Sequence, residues 1–254
     1  MKIALCLYGQ PRNYVKGFKD INEKILLHYN ADVFGHLWWS KDNIDNVYET
    51  APWVKETYKI EEDLANQISS LYKFKRIKFE APKTFIPTKT YKVSMQDRHD
   101  LFYNSFCCRY YSVKSSIELL EQYEKDENIM YDWVLLSRTD MFISKFPPLE
   151  SLNNKNVYSI SFHADKKYTF NDNFWIIGRE YLYVFKNVLD NLDLVYERSK
   201  DLSEDEKEIL KDDSTMMSHG GFLNGEEMIT YMFLFEGILR KIIKHPDLHA
   251  NILR

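Results

Sequence analysis

Three cysteines in 254 residues, two of them the adjacent pair Cys107 and Cys108, leave no spacing for a disulfide framework or a CxxC metal site. They read as reduced thiols of a cytoplasmic chain. An excess of one charge is missing too: 34 basic residues face 38 acidic ones, a net charge of −4, so nothing draws the whole molecule to nucleic acid or an anionic membrane. No basic stripe interleaved with aromatics appears, which argues against nucleic-acid binding. Affinity for anions must therefore be local. No stretch approaches the roughly 20 apolar residues that span a bilayer, and the run Ile3 to Tyr8 is too short and too early for a signal peptide. These absences predict no transmembrane segment. Attachment to a membrane surface stays open, since it needs only one exposed amphipathic face. There is no GxxxxGK run, which disfavours a P-loop NTPase. There is also no repeat, low-complexity tract or linker, which predicts one domain over residues 1–254.

What is present is a globular composition, 44% apolar with 15% aromatic residues, arranged as an α/β alternation. IALCLY (Ile3 to Tyr8) is a buried-strand candidate, GQPR breaks it, Phe18, Ile21, Ile25 and His28 fall at helical spacing, and Ala31 to Trp39 reads as a second strand. Strand, helix, strand without a hairpin turn implies a right-handed crossover and parallel pairing. A helix is predicted over Glu61 to Tyr72, a third strand over Phe74 to Pro82 and a long loop over residues 83–99. The clearest helix carries Phe102, Phe106, Tyr110, Val113, Ile117 and Leu120 on one stripe, with Ser105, Arg109, Ser112 and Ser116 on another face. It leads into a fourth strand, DWVLLSRTDM (Asp132 to Met141). Strands over Asn156 to Phe162 and Asn173 to Gly178 follow, then a helix with Tyr181, Phe185, Val188 and Leu192 on one side. Ser199 to Asp213 is a solvated helix or loop, and Met228 to Phe235 an apolar helix.

Ligands of open α/β sheets bind beyond the carboxyl ends of the strands, where loops and helix N-termini converge. Three of the present strands end in residues suited to that place. Tyr8-Gly9-Gln10-Pro11-Arg12 offers a close backbone approach at Gly9 and a guanidinium fork at Arg12. His36-Leu37-Trp38 offers rings able to stack on a base or sugar. Arg138-Thr139-Asp140 offers a cation for a diphosphate and a carboxylate for Mg²⁺ or Mn²⁺. The plainer reading of that tripeptide is a surface ion pair. Arg109, on the polar face of the long helix, joins the candidate anion-binding residues. In GFLNGEEM (Gly221 to Met228) a glycine turn precedes Glu226 and Glu227, either helix-capping acids or a general base for an acceptor hydroxyl. His245 and His249 are candidate metal or phosphate ligands, a lone histidine being more often structural.

KIALCLYGQPRNY, ADVFGHLW, RYYSVKSSIELLEQYE, YDWVLLSRTDMFI, DNFWIIGRE and NGEEM, spread in order over nearly the whole chain, give it a resemblance to GT-A glycosyltransferases. In particular it resembles small viral and bacterial enzymes with a strand before GQPR and an R-x-D tripeptide in place of D-x-D. The resemblance implies a single GT-A-like α/β domain with a Rossmann-like, mostly parallel central sheet flanked by helices. It implies a nucleotide-diphosphate sugar donor held over the first half of the sheet, a glycan or other hydroxyl acceptor, and a divalent metal, Mn²⁺ or Mg²⁺, that Arg138 puts in question by standing where the first aspartate would be. It further implies Asp172 and Asn173 near the sugar on the acceptor side, Glu227 as the preferred base if the reaction inverts, with Glu226 second, and His245 or His249 as a C-terminal metal ligand. Two other readings stay beside it: a sugar nucleotidyltransferase, against which stands the single glycine before Arg12, and a non-catalytic nucleotide- or glycan-binding module.

Overall fold

The computed structural model describes residues 1–44, 47–51, 54–59, 61–93, 96–160, 167–168, 170–211 and 223–253. At its centre lies β1 (Ile3–Gly9), whose residues are apolar at every position up to Tyr8, as a strand covered on both faces requires. Ile3, Leu5 and Leu7 enter one core cluster, and Ala4, Cys6 and Tyr8 the other. The sheet around it has seven strands in the order β10-β8-β9-β6-β1-β2-β5. These are β2 (Asp32–Trp38), β5 (Arg76–Glu80), β6 (Trp133–Arg138), β8 (Val157–Ser159), β9 (Phe174–Gly178) and β10 (Ile242–Lys244). β1 pairs in parallel with β2 and β6, β2 with β5 and β8 with β10, while β9 runs antiparallel to β6 and β8. The mostly parallel α/β sheet expected from the sequence is present.

One face carries α1 (Tyr14–Ile21), which continues through a π-helical turn Asn22–Leu26 into α2 (Leu27–Tyr29), and α3 (Leu64–Tyr72). Tyr14, Ile21, Ile25, Leu64, Ile68 and Tyr72 bury themselves there against Leu5 and Leu7. Each such side chain contributes roughly 1.5–3 kcal/mol. The other face carries α4 (His99–Glu127), α5 (Leu182–Lys186), α6 (Leu192–Arg198) and α8 (Gly225–Phe235). α7 (Glu204–Leu210) opens on a capping box made by Ser203 and Glu206. α4 ends at Asn128, in the left-handed conformation that asparagine tolerates.

Several elements differ from the sequence reading. An antiparallel hairpin, β3 (Val47–Ala51) and β4 (Val54–Lys59), stands between β2 and α3. A second antiparallel pair joins β7 (Met141–Lys145) to β11 (His249–Ile252). The single helix expected across Tyr181 to Leu192 is two short ones, α5 and α6, although all four of its apolar residues are buried. Ser112 and Ser116, which the sequence places off the apolar stripe of α4, are buried together with Ser115, because their small side chains let the helix lie close to β1 and β2. The ends of two predicted segments, residues 161–162 and 212–213, and Gly221 lie outside the described residues. Among the described residues no helix is long and apolar enough to cross a membrane.

The chain passes from β1 outward to β2 and β5, then returns through α4 to place β6 on the other side of β1. The strand order therefore reverses between β1 and β6. At such a point the loops leaving two neighbouring strands part in opposite directions and leave a crevice over their carboxyl ends.

Candidate active site

That crevice is where GQPR and RTD meet. Gly9 closes β1 with φ +90°, a conformation L side chains rarely adopt, and its N–H donates to Ser112 Oγ at 2.7 Å. A Cβ built on Gly9 meets nothing within 4 Å, so the backbone there faces open space. Arg12, just beyond, donates from Nε to Asp140 Oδ2 at 3.0 Å and approaches the same oxygen through Nη2 at 3.0 Å. Arg138 forks onto both oxygens of Asp140, Nε to Oδ1 at 2.7 Å and Nη2 to Oδ2 at 2.8 Å. The Asp140 side chain is 0% exposed, against 9% for Arg12 and 15% for Arg138. Two guanidiniums on one carboxylate leave a net charge of +1.

The loop is pinned as well as charged. Thr139 Oγ1 donates toward the carbonyls of Gln10 and Arg12 at 3.4 and 3.3 Å, and the Leu253 N–H donates to the Asp140 carbonyl at 2.7 Å. α1 lies so close that a Cβ on Gly17 would come within 2.0 Å of the Thr139 carbonyl oxygen.

A second wall rises from α4, the segment before β9 and the start of α8. Tyr8 stands in register between His36 and Arg138, and its hydroxyl donates to the carbonyls of Asp172 at 2.9 Å and Asn173 at 3.2 Å. Burial holds its phenol well above the usual range, so it acts as a neutral donor. The Asp172 carboxylate pairs with Arg109 and presses on the first residue of α8, since a Cβ on Gly225 would lie 2.0 Å from Asp172 Oδ2. Tyr110 donates to the Gly225 carbonyl at 3.1 Å. Asn173 is buried; Asn171 Oδ1 accepts both its N–H and its Nδ2, at 2.9 and 3.0 Å, while its own Oδ1 has no hydrogen-bond partner among the described residues. Asn224 caps α8 by accepting the Glu227 N–H at 2.7 Å. This sets Glu227, buried, and Glu226, partly exposed, in the helix's first turn.

The end of β2 is built differently. His36 is fully buried, its Nδ1 2.8 Å from Ser112 Oγ and its Nε2 3.0 Å from Glu80 Oε2. Trp38 is also buried, its ring stacked on Tyr111 at 5.6 Å. These rings are therefore packed under α4 rather than laid open. Burial lowers the His36 pKa against the opposing pull of Glu80. Burial alone would raise the Glu80 carboxyl, but hydrogen bonds from Lys78, Lys83 and His36 hold it well below the usual carboxylate range.

The structure thus brings together Tyr8, Gly9, Gln10, Arg12, Arg109, Arg138, Asp140, Asp172 and Asn173, with Glu226 and Glu227 at the adjoining helix start. It does not bring the two histidines to Asp140. His249 pairs across from Lys145, at the end of β7 remote from Met141, and its Nε2 lies 2.6 Å from the Pro246 carbonyl. His245 follows β10 at the sheet edge, three strands from β6, where its Nδ1 accepts the Asp247 N–H at 3.1 Å. Among the described residues no three His, Cys, Asp or Glu side chains are grouped to hold a metal. With both oxygens of Asp140 engaged by guanidiniums, this donor set does not fit a divalent ion, which wants several free oxygen ligands. Sequence reasoning overlooked Ser112, Glu80, Tyr110, Tyr111 and Gly225. For the first of these the signal was present: Ser112, Ser115 and Ser116 fall at helical spacing and form a stripe of small residues.

No family model and no curated protein matches the chain. Among solved structures it is similar to a glycosyltransferase involved in glycosylation of the major capsid of PBCV-1, at 11% identity over 96% of this chain and 82% of that one, with a TM-score of 0.37. It is similar to the galactosyltransferase LgtC in complex with donor and acceptor sugar analogs, at 13% identity over 96% and 73% of the two chains, with a TM-score of 0.36. A nucleoside-diphosphate-sugar pyrophosphorylase from Vibrio cholerae scores alike, at 11% identity, 96% and 91% coverage and a TM-score of 0.38. Likenesses this distant, divided between two chemistries, assign neither of them.

Proposed function

We propose that this protein is a glycosyltransferase that moves a sugar from a nucleotide-diphosphate donor to a hydroxyl of a glycan or other acceptor. The observation that carries the reading is the pair of guanidiniums fixed on buried Asp140 beside the open backbone of Gly9, at the reversal point of the sheet. A diphosphate leaving group gains negative charge as the sugar–oxygen bond breaks, and prearranged cations stabilise that charge without reorganising. Arg12 and Arg138 supply them. Tyr8, Arg109, Asp172 and Asn173 form the wall on the sugar and acceptor side. Glu227, sheltered in the first turn of α8, takes the proton of the attacking hydroxyl as its oxygen bonds to the anomeric carbon, with Glu226 the second choice for that task.

A nucleotidyltransferase would need a glycine-rich basic loop after β1, and only Gly9 precedes Arg12. A binding module would leave the donor intact. Both are separated from the proposal by incubating the protein with a panel of nucleotide-diphosphate sugars and measuring release of free nucleoside diphosphate, with and without glycan acceptors. A transferase releases it, and Glu227→Gln lowers the rate by about 10²–10⁴-fold with nucleotide affinity nearly unchanged. Binding without release from any donor would sink the enzymatic reading.

A further inference from the structure

We propose that Arg12 and Arg138 hold the diphosphate directly, in place of a divalent ion, and that Asp140 is the residue that positions them. The inference rests on the donor reading above and names how that site handles charge. Asp140 is fully buried and its two oxygens receive the Nε and Nη2 groups of both arginines at 2.7–3.0 Å. For an ion to bind this carboxylate it would have to displace the forks and leave two cations beside a third. The geometry serves a different purpose. Guanidiniums locked by a buried acid keep a fixed orientation, and because a guanidinium carries five N–H donors, Arg138 with its Nε and Nη2 turned to Asp140 still has Nη1 with which to meet a phosphate oxygen. Arg138 is anchored at the end of β6 in register with Tyr8, and Thr139 ties the Gln10–Arg12 turn to the same strand end. The net positive charge of the three side chains stands beside the open space over Gly9, where no Cβ blocks a phosphate.

Calorimetry of the full chain with uridine diphosphate and guanosine diphosphate, in excess EDTA and then in excess manganese chloride, tests this. The expected result is binding of one of them with the same affinity in both media. Arg12→Gln and Arg138→Gln should each weaken it by about 10–100-fold, the worth of a charge-assisted contact. Arg138→Lys, which keeps the charge but loses the fork, should fall between. Binding that appears only with manganese would overturn the inference and leave the donor reading standing. Binding of neither nucleotide in either medium would remove both. Should the arginine variants fail to fold, the comparison of media on the unaltered protein still decides.

Discussion

Two carboxylates at the carboxyl edge of the sheet are each met by two cations, yet they are built to opposite ends. Asp140, between β1 and β6, is 0% exposed and held by arginines that are themselves 9% and 15% exposed. Glu80, at the end of β5, is 21% exposed and held by Lys78 and Lys83, which are 47% and 39% exposed. The lysine charges belong to solvent and are screened, while the guanidiniums are desolvated and fixed. The second cluster also closes on itself, through His36 within and Tyr111 and Trp38 above. The first opens over Gly9. Cation count therefore does not distinguish the two clusters; burial and an unobstructed backbone do, and the proposed diphosphate site rests on them. Ser112 joins the clusters, since its hydroxyl meets both the Gly9 N–H and the His36 ring.

The comparison breaks most readily at Asp140. Asp140→Ala leaves two guanidiniums poorly hydrated and unbalanced, and should cost about 3–5 kcal/mol in denaturant unfolding as well as the proposed sugar transfer. Glu80→Ala should cost less, about 1–3 kcal/mol, chiefly for the His36 contact it strips. Equal losses from the two variants would erase the distinction. Ser112→Ala should cost about 1–3 kcal/mol, because Gly9 N–H and His36 Nδ1 lose a buried partner together. In a double-mutant cycle with Glu80→Ala it should be non-additive, since both touch His36; strict additivity would mean the clusters are independent.

The more informative of these regions was also the more legible. Gly9, Arg12, Arg138 and Asp140 sit where apolar runs end abruptly in charge, and a parallel sheet needs its strand ends to emerge together. The Glu80 cluster was hidden, because its members come from β2, β5 and α4 and share no local pattern; only the fold assembles them. His36 and Trp38 read as open rings because a sequence does not display the helix that covers them. Ser112 and Ser116 of α4 read only as lying off the apolar stripe, whereas their small size, which lets the helix lie close to the sheet, is the informative property. The hairpin of β3 and β4 is not legible in the sequence despite β-branched and aromatic residues such as Val47, Tyr48, Val54 and Tyr58, since no second apolar stripe marks a core. The short strands β10 and β11, three and four residues long, carry too little alternation to be recognised.

Acid should sharpen the contrast from the Glu80 side. Burial lowers the folded-state pKa of His36 below its unfolded value near 6.5, so the unfolded chain takes up the proton first. The stability it contributes is complete above that pH and is lost as pH falls from there toward the folded value, by at most about 1.4 kcal/mol per pH unit. The depressed carboxyl of Glu80 acts in the same sense at lower pH: its contribution is present above the unfolded value and goes as pH falls through the folded one. Unfolding midpoints should thus drop between neutrality and mild acid, and His36→Gln should flatten that part of the profile. An unchanged slope in the variant would place the acid sensitivity elsewhere.

The smallest effect belongs to the lysines, and it separates counting charges from weighing them. Lys83 reaches Glu80 at 2.7 Å and hovers 4.0 Å from the Tyr111 ring centroid, contacts that look as good on paper as those of Arg138. Yet its side chain is 39% exposed, so the unfolded chain loses little hydration on forming them and gives up rotamer freedom to do so. Lys83→Ala should therefore change stability by no more than about 1 kcal/mol, a difference that shrinks further in high salt. It should leave the proposed diphosphate affinity where it was, because the side-chain contacts of Lys83 are with Glu80 and Tyr111 rather than with Arg12, Arg138 or Asp140. A loss of nucleotide binding in Lys83→Ala comparable to that of Arg138→Gln would mean that the crevice extends across β2, and that the exposed cations share in holding the leaving group.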